Sequence, residues 1–145
     1  MTFIASKPRD RDWFAYMKES GEEILLVVIN SSGKQVNTVS LPRIYFCRGS
    51  AHFSCAWEPS GDILWLAGEP DSGNAVLGRV NIPSGTFETM DMGIKGQILN
   101  VSLSPGGDHV VAVIQEEGGT KLGIIRRDGA GEKARIVPIN FGEAE

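Results

Sequence analysis

Trp57-Glu58-Pro59-Ser60-Gly61-Asp62 returns 46 residues later as Leu103-Ser104-Pro105-Gly106-Gly107-Asp108, with Pro, Gly and Asp in the same places. Upstream at the same offset, Phe53, Cys55 and Trp57 fall on Leu99, Val101 and Leu103. The positions between them (His52, Ser54 and Ala56; Ile98, Asn100 and Ser102) are mostly small or polar. Apolar residues at every second position mark a strand with two distinct faces. Downstream of the turn both copies run apolar without a break, as Ile63-Leu64-Trp65-Leu66-Ala67 and Val110-Val111-Ala112-Val113-Ile114. Such runs, bounded by turns, predict strands buried on both faces.

Each copy then continues alike. A loop follows, Glu69 to Asn74 or Glu116 to Thr120, and then a third strand in which Leu77-Gly78 matches Leu122-Gly123. The turns Pro83-Ser84-Gly85 and Asp128 to Gly131 come next, and weaker strands near Thr86 to Asp91 and Lys133 to Ile139 close the units. A fainter copy precedes both. Asp12 to Glu19 lies over Asp62 to Glu69, Pro8 answers Pro59 if one residue is inserted, and Ser31-Ser32-Gly33 echoes Pro83-Ser84-Gly85. Its strands are expected at Thr2 to Ser6, Asp12 to Glu19, Ile24 to Ile29 and Val36 to Leu41. The chain therefore reads as one domain, 1–145, of three units: 2–41, 51–91 and 97–140.

Four short strands per unit, repeating with a period in the forties, point to the blades of an all-β propeller. No window carries a sustained helical stripe. A β-sandwich also has many short strands, but it gives no reason for Pro-x-Gly-Asp to recur at one place in each unit. Glycine supports the reading: 18 in 145 residues, against a usual ~7%, spread along the chain as many tight turns require.

The pattern Trp57-x-Pro59-x-Gly61-x-x-Leu64 resembles the Trp-Ser-Pro-Asp-Gly turn of TolB-like and WD40-like propeller repeats, and the likeness extends over nearly the whole chain. The Gly-His and Trp-Asp pairs of true WD40 repeats are absent, and Ser60 and Gly106 stand where TolB-like repeats carry Asp. The resemblance implies blade architecture. The same blade type serves in periplasmic TolB, in the lid of prolyl-oligopeptidase-like peptidases and in cytosolic scaffolds, so it does not fix a function.

Propellers usually close with four to eight blades. Three leave open strand edges and an uncovered face. Either the chain is part of a longer propeller, or two copies associate into a six-bladed ring.

Composition narrows the partners. A net charge of −4 and scattered Lys and Arg argue against nucleic acid, which wants a basic patch. No apolar run approaches a membrane span. Met1 to Ser6 lacks the features of a secretory signal, so a native N-terminus would imply a cytoplasmic protein. Cys47 and Cys55 make no disulfide framework, and Cys55 is expected to be a buried thiol.

No catalytic or cofactor motif emerges. The two histidines, His52 and His109, fall at different points of the blade and lack carboxylates at metal-ligand spacing. There is no Gly-x-Ser-x-Gly elbow, and Ser31-x-x-Lys34 sits in a turn without its companion motifs. Phosphate and calcium loops are missing. Asn30 and Asn100 begin glycosylation sequons that read as chance matches.

The expected function is thus a non-catalytic module for protein–protein interaction or scaffolding. The alternative is the propeller portion of a prolyl-oligopeptidase-like serine peptidase or of a propeller hydrolase such as a lactonase. Alternate turns of a blade share one end, which places the second-to-third loops and the inter-unit links together. The candidate interaction residues there are Arg43, Tyr45, Phe46 and Arg48 in the link, and Glu69, Asp71, Asn74, Glu116 and Glu117 in the loops. Arg and aromatic residues are enriched at interfaces, although the bulk of Ile44-Tyr45-Phe46 equally fits burial between blades. Trp57 is expected in the core, where truncation to alanine costs ~3–5 kcal/mol.

Overall fold

The computed structural model describes residues 2–5, 8, 10–42, 55–68, 73–104, 108–126 and 135–139. They form twelve strands and no helix: β1 (Thr2–Ala5), β2 (Trp13–Ser20), β3 (Glu23–Asn30), β4 (Gln35–Leu41), β5 (Cys55–Trp57), β6 (Ile63–Ala67), β7 (Asn74–Asn81), β8 (Thr86–Lys95), β9 (Gln97–Leu103), β10 (His109–Glu116), β11 (Gly119–Arg126) and β12 (Arg135–Pro138). These make three antiparallel four-stranded sheets, each a meander in sequence order: β1-β2-β3-β4, β5-β6-β7-β8 and β9-β10-β11-β12. Three consecutive meanders are the propeller arrangement, not the two facing sheets of a sandwich.

The turn that betrayed the repeat also explains its residues. Gly61 donates its N–H to the Glu58 carbonyl at 2.9 Å, which closes a β-turn with Pro59 second and Gly61 fourth, both favoured there. Gly61 has φ +84°, and a Cβ there would lie 2.9 Å from Arg11 Cγ and 3.1 Å from Pro8 Cγ. The first unit's turn is thus laid against the second's. Below the turn, Glu58 N–H donates to the Ile63 carbonyl and Ser104 N–H to the His109 carbonyl, both at 2.9 Å. The two bonds are one bond at the repeat offset.

Packing between the sheets comes from the period-two alternation. In β6 every residue is buried. Leu64 and Leu66 join Val80 and Ile82 against Ala15, Met17, Ile24, Leu26, Val28, Val39 and Leu41 of the first sheet. Ile63, Trp65 and Ala67 join Ala75, Leu77 and Met92 against Ile98, Val101, Val110, Ala112, Ile114 and Ile125 of the third. The middle sheet is therefore covered on both faces, each large side chain contributing about 1.5–3 kcal/mol of burial. The opening strand β5 touches both β1 and β9, whereas the closing strands β4 and β8 barely meet each other across the first junction. The sheets converge on their opening edges, as blades do around an axis.

Three expectations are corrected. First, β10 is not buried on both faces: Val110, Ala112 and Ile114 are buried, but Val111 and Val113 only half so, because no further sheet lies against them among the described residues. Second, the alternation in β9 is broken by a register shift opposite Val113 and Ile114, so Ile98, not Leu99, pairs with Ile114 and is buried with Val101. Third, the last strand of the second unit runs past Asp91 to Lys95. A bulge shifts its pairing between Asn74 and Val76 and carries Met92 into the core. Residues 51–54, where the opening strand of the second unit was expected to begin, lie outside the described residues.

Candidate functional site

One end of the blades carries the first-to-second and third-to-fourth turns. Asn30 and Asn81 organise two of them. Asn30 Oδ1 accepts from Ser32 N–H and Lys34 N–H, each at 3.0 Å, and Asn81 Oδ1 accepts from Ser84 N–H at 3.1 Å. These Asx-type turns account for the Ser31-x-x-Lys34 match. An Asn ahead of Ser-Gly is itself a turn signal in the sequence. At the same end Arg11 reaches Asp62 at 3.3 Å and stacks over Trp13 at 4.5 Å. Asp10 N–H donates to the Pro59 carbonyl at 2.8 Å. This end clasps the first sheet to the second.

The opposite end is where interaction residues were expected. Two second-to-third turns are tight there. Ser20 pairs with Glu23 across Gly21-Glu22, and Glu116 pairs with Gly119 across Glu117-Gly118. A single residue, Gly96, links β8 to β9. It has φ +153°, and a Cβ on it would lie 2.5 Å from the Gln115 carbonyl oxygen, so only glycine lets the link pass β10 this closely. The link and the β10–β11 turn frame an open groove of about 310 Å³ lined by Lys95, Gly96, Gln115, Glu116 and Glu117.

Of the nine expected residues, this geometry brings two together and places a third beside one lining residue. Glu116 and Glu117 line the groove. Asn74 pairs with Lys95, which lines it too, and its amide donates to Asp91 Oδ1 at 3.0 Å. Glu116 is ion-paired with Lys121, while Glu117 is exposed. Arg43, Tyr45, Phe46, Arg48, Glu69 and Asp71 lie outside the described residues. The sequence reading missed Lys95, because β8 was expected to end before it.

Other candidates sit elsewhere. His109 is half-buried at the start of β10, where its backbone N–H donates to Ser104 Oγ at 3.1 Å; His52 lies outside the described residues. Among the described residues no three His, Cys, Asp or Glu side chains form a metal-binding group. Burial pushes the Cys55 thiol up to about 12, which leaves it protonated and a poor nucleophile.

The tryptophans exchange roles relative to expectation. Trp57 is only partly buried, at the margin of the first core, with its indole nitrogen buried and unpartnered. Trp65 is fully buried. Its Nε1–H donates to the buried Glu58 carboxylate at 2.9 Å, and Arg79 lies 5.7 Å from its ring centroid. Trp57 stands beside the turn on the half-buried strand β5, whereas burial on both faces of β6 encloses Trp65.

Comparison with family models and with curated protein sequences finds no match. Solved structures do match in fold. TolB from Acinetobacter baumannii superposes with a TM-score of 0.62 at 11% identity, covering 90% of this chain and 30% of that one. A structure from a study of two prolyl endopeptidases superposes with a TM-score of 0.61 at 15% identity, covering 92% of this chain and 22% of that one. The chain thus spans less than a third of the length of either. At these identities the likeness establishes an all-β, propeller-like fold with open sheets.

Proposed function

We propose that the chain is a non-catalytic propeller module that binds a protein partner at the end of the blades bearing the Lys95–Glu117 groove. The observation that carries this reading is the convergence of Lys95, Glu116 and Glu117 on one open groove between the second and third sheets. Rigid strands hold it and tight turns rim it, which suits recognition of a charged segment. A photo-crosslinking residue at position 117 tests this in cells expressing the chain, with the exposed Glu88 position as reference. A discrete adduct at 117, absent at 88 and abolished by Glu116→Lys, is the expected result. Equal labelling at both positions, or none, contradicts it.

The second reading, a lid portion of a prolyl-oligopeptidase-like peptidase, draws on the fold likeness to a prolyl endopeptidase. It requires a hydrolase domain outside these 145 residues. A reading frame continuing past Glu145 into an α/β-hydrolase would favour it over the first. The lactonase version needs metal-binding acids around the propeller axis, and their test is retention of a divalent metal by the purified chain.

A further inference from the structure

We propose that two copies of this chain close on each other head to tail, the open face of the β9–β12 sheet seating on the open face of the partner's β1–β4 sheet. The product is a ring of twice three blades.

Each sheet has two different faces, and the repeat shows which is which. In β6 the Leu64 and Leu66 face meets the preceding sheet, and the Ile63, Trp65 and Ala67 face meets the following one. The repeat offsets place Phe14 and Tyr16 at the positions of Leu64 and Leu66, and Val111 and Val113 at those of Trp65 and Ala67. With no further sheet against it among the described residues, the first sheet thus presents the kind of face that receives a preceding blade. The third, equally uncovered among the described residues, presents the kind that receives a following one. These are the two halves of a junction the molecule already makes twice.

Composition and charge agree. On the first sheet's open face, Phe14, Tyr16, Leu25 and Ile29 keep part of their surface in solvent around the already buried Val27. On the third, Val111, Val113, Leu122, Ile124 and Val137 are likewise half-buried. Registers across β10–β11 and β11–β12 put Arg126 opposite His109 and Arg135 opposite Ile124, giving that face a basic margin at the end where β10 starts. At the matching end of the first sheet stands Asp12, in the repeat position of Asp62, which already takes Arg11 across the first junction. Arg126 and Arg135 of one face thereby come to the end where the other carries the Asp12 carboxylate. A stable dimer buries about 1,200–2,000 Å² in total. A two-fold ring has two such junctions, so each need supply only about half of that. Two-fold closure also covers every exposed blade face, whereas an open head-to-tail chain would never end.

This inference uses the blade faces and not the groove, so it stands or falls separately from the partner reading. Light scattering on the 145-residue chain should give twice 15.7 kDa. Tyr16→Glu and Val113→Lys should each halve that mass, with circular dichroism showing an intact strand signal. Mixing the two variants should restore the dimer, because one junction is then wild type and the other pairs Glu with Lys. A monomeric wild-type chain, as expected if other blades of a longer polypeptide cover these faces, overturns the proposal. So do heavier filaments, a dimer broken by only one of the variants (a face pairing with its own copy), or variants that fail to recombine.

Discussion

Replacing Trp65 probes the junction between the second and third sheets at its most enclosed point. The side chain has no exposed surface, so truncation to alanine removes a large buried ring for a cost of about 3–5 kcal/mol. The indole N–H also satisfies a carboxylate on Glu58, which is only 7% exposed. Loss of this bond to a buried carboxylate adds roughly 1–3 kcal/mol. Trp65→Phe isolates the second effect, since the ring remains and the donor goes. In a cycle with Glu58→Ala, the coupling should be about 1.5–3 kcal/mol, the range for a hydrogen bond to a charged group. Urea unfolding followed by far-ultraviolet circular dichroism measures it without relying on tryptophan emission. A coupling under about 0.5 kcal/mol, or a Trp65→Ala loss under about 1 kcal/mol, would refute the placement of Trp65 and its bond.

Other changes follow from the same geometry. Gly96→Ala forces a Cβ against the Gln115 carbonyl, and a loss of at least about 1–3 kcal/mol is expected from overpacking alone, read as a lower urea midpoint. Gly61→Ala combines a positive φ with contact against Arg11 and Pro8; it should destabilise by about 1–3 kcal/mol, and Ser60→Ala, in the same turn, should cost less. Trp57→Phe should cost under ~1.5 kcal/mol in the same unfolding assay, because an unpartnered buried donor is removed along with some packing. The Cys55 thiol is raised in the fold, from 9.0 to about 12. Its contribution to stability is therefore whole below pH 9 and declines as pH rises toward 12. In a Cys47→Ser background, iodoacetamide at pH 8 should leave the native chain unlabelled, and Cys55→Ala should flatten the alkaline fall in stability.

What could be read from the sequence was whatever chemistry acts locally. Pro59 and Gly61 occupy turn positions that their own backbones prefer, so the repeat and its strand order were visible without a structure. The unbroken run Ile63 to Ala67 likewise announced a doubly buried strand. Val110 to Ile114 has the same appearance, yet Val111 and Val113 stay half-exposed, because burial depends on a neighbouring sheet that no property of the strand encodes. The bulges that exchange Leu99 for Ile98 and carry β8 on to Lys95 depend on pairing partners distant in sequence. The candidate site divides in the same way. Glu116, Glu117 and Asn74 were placed at one end by the simple rule that alternate turns share an end. Lys95 was missed because the extent of its strand is set by the Asn74 pairing and not by residues 91–95.

The account depends above all on β6 lying between two sheets, with Leu64 and Leu66 turned one way and Ile63, Trp65 and Ala67 the other. Methyl-resolved nuclear Overhauser spectroscopy on selectively labelled chain tests this directly. Leu64 and Leu66 methyls should show cross-peaks to the Leu26, Val28 and Val39 set and none to Val110 or Ile114. The Ile63 methyls should show the reverse. Cross-peaks from Leu64 or Leu66 to the third sheet, or from Ile63 to the first, would contradict the arrangement of three consecutive blades.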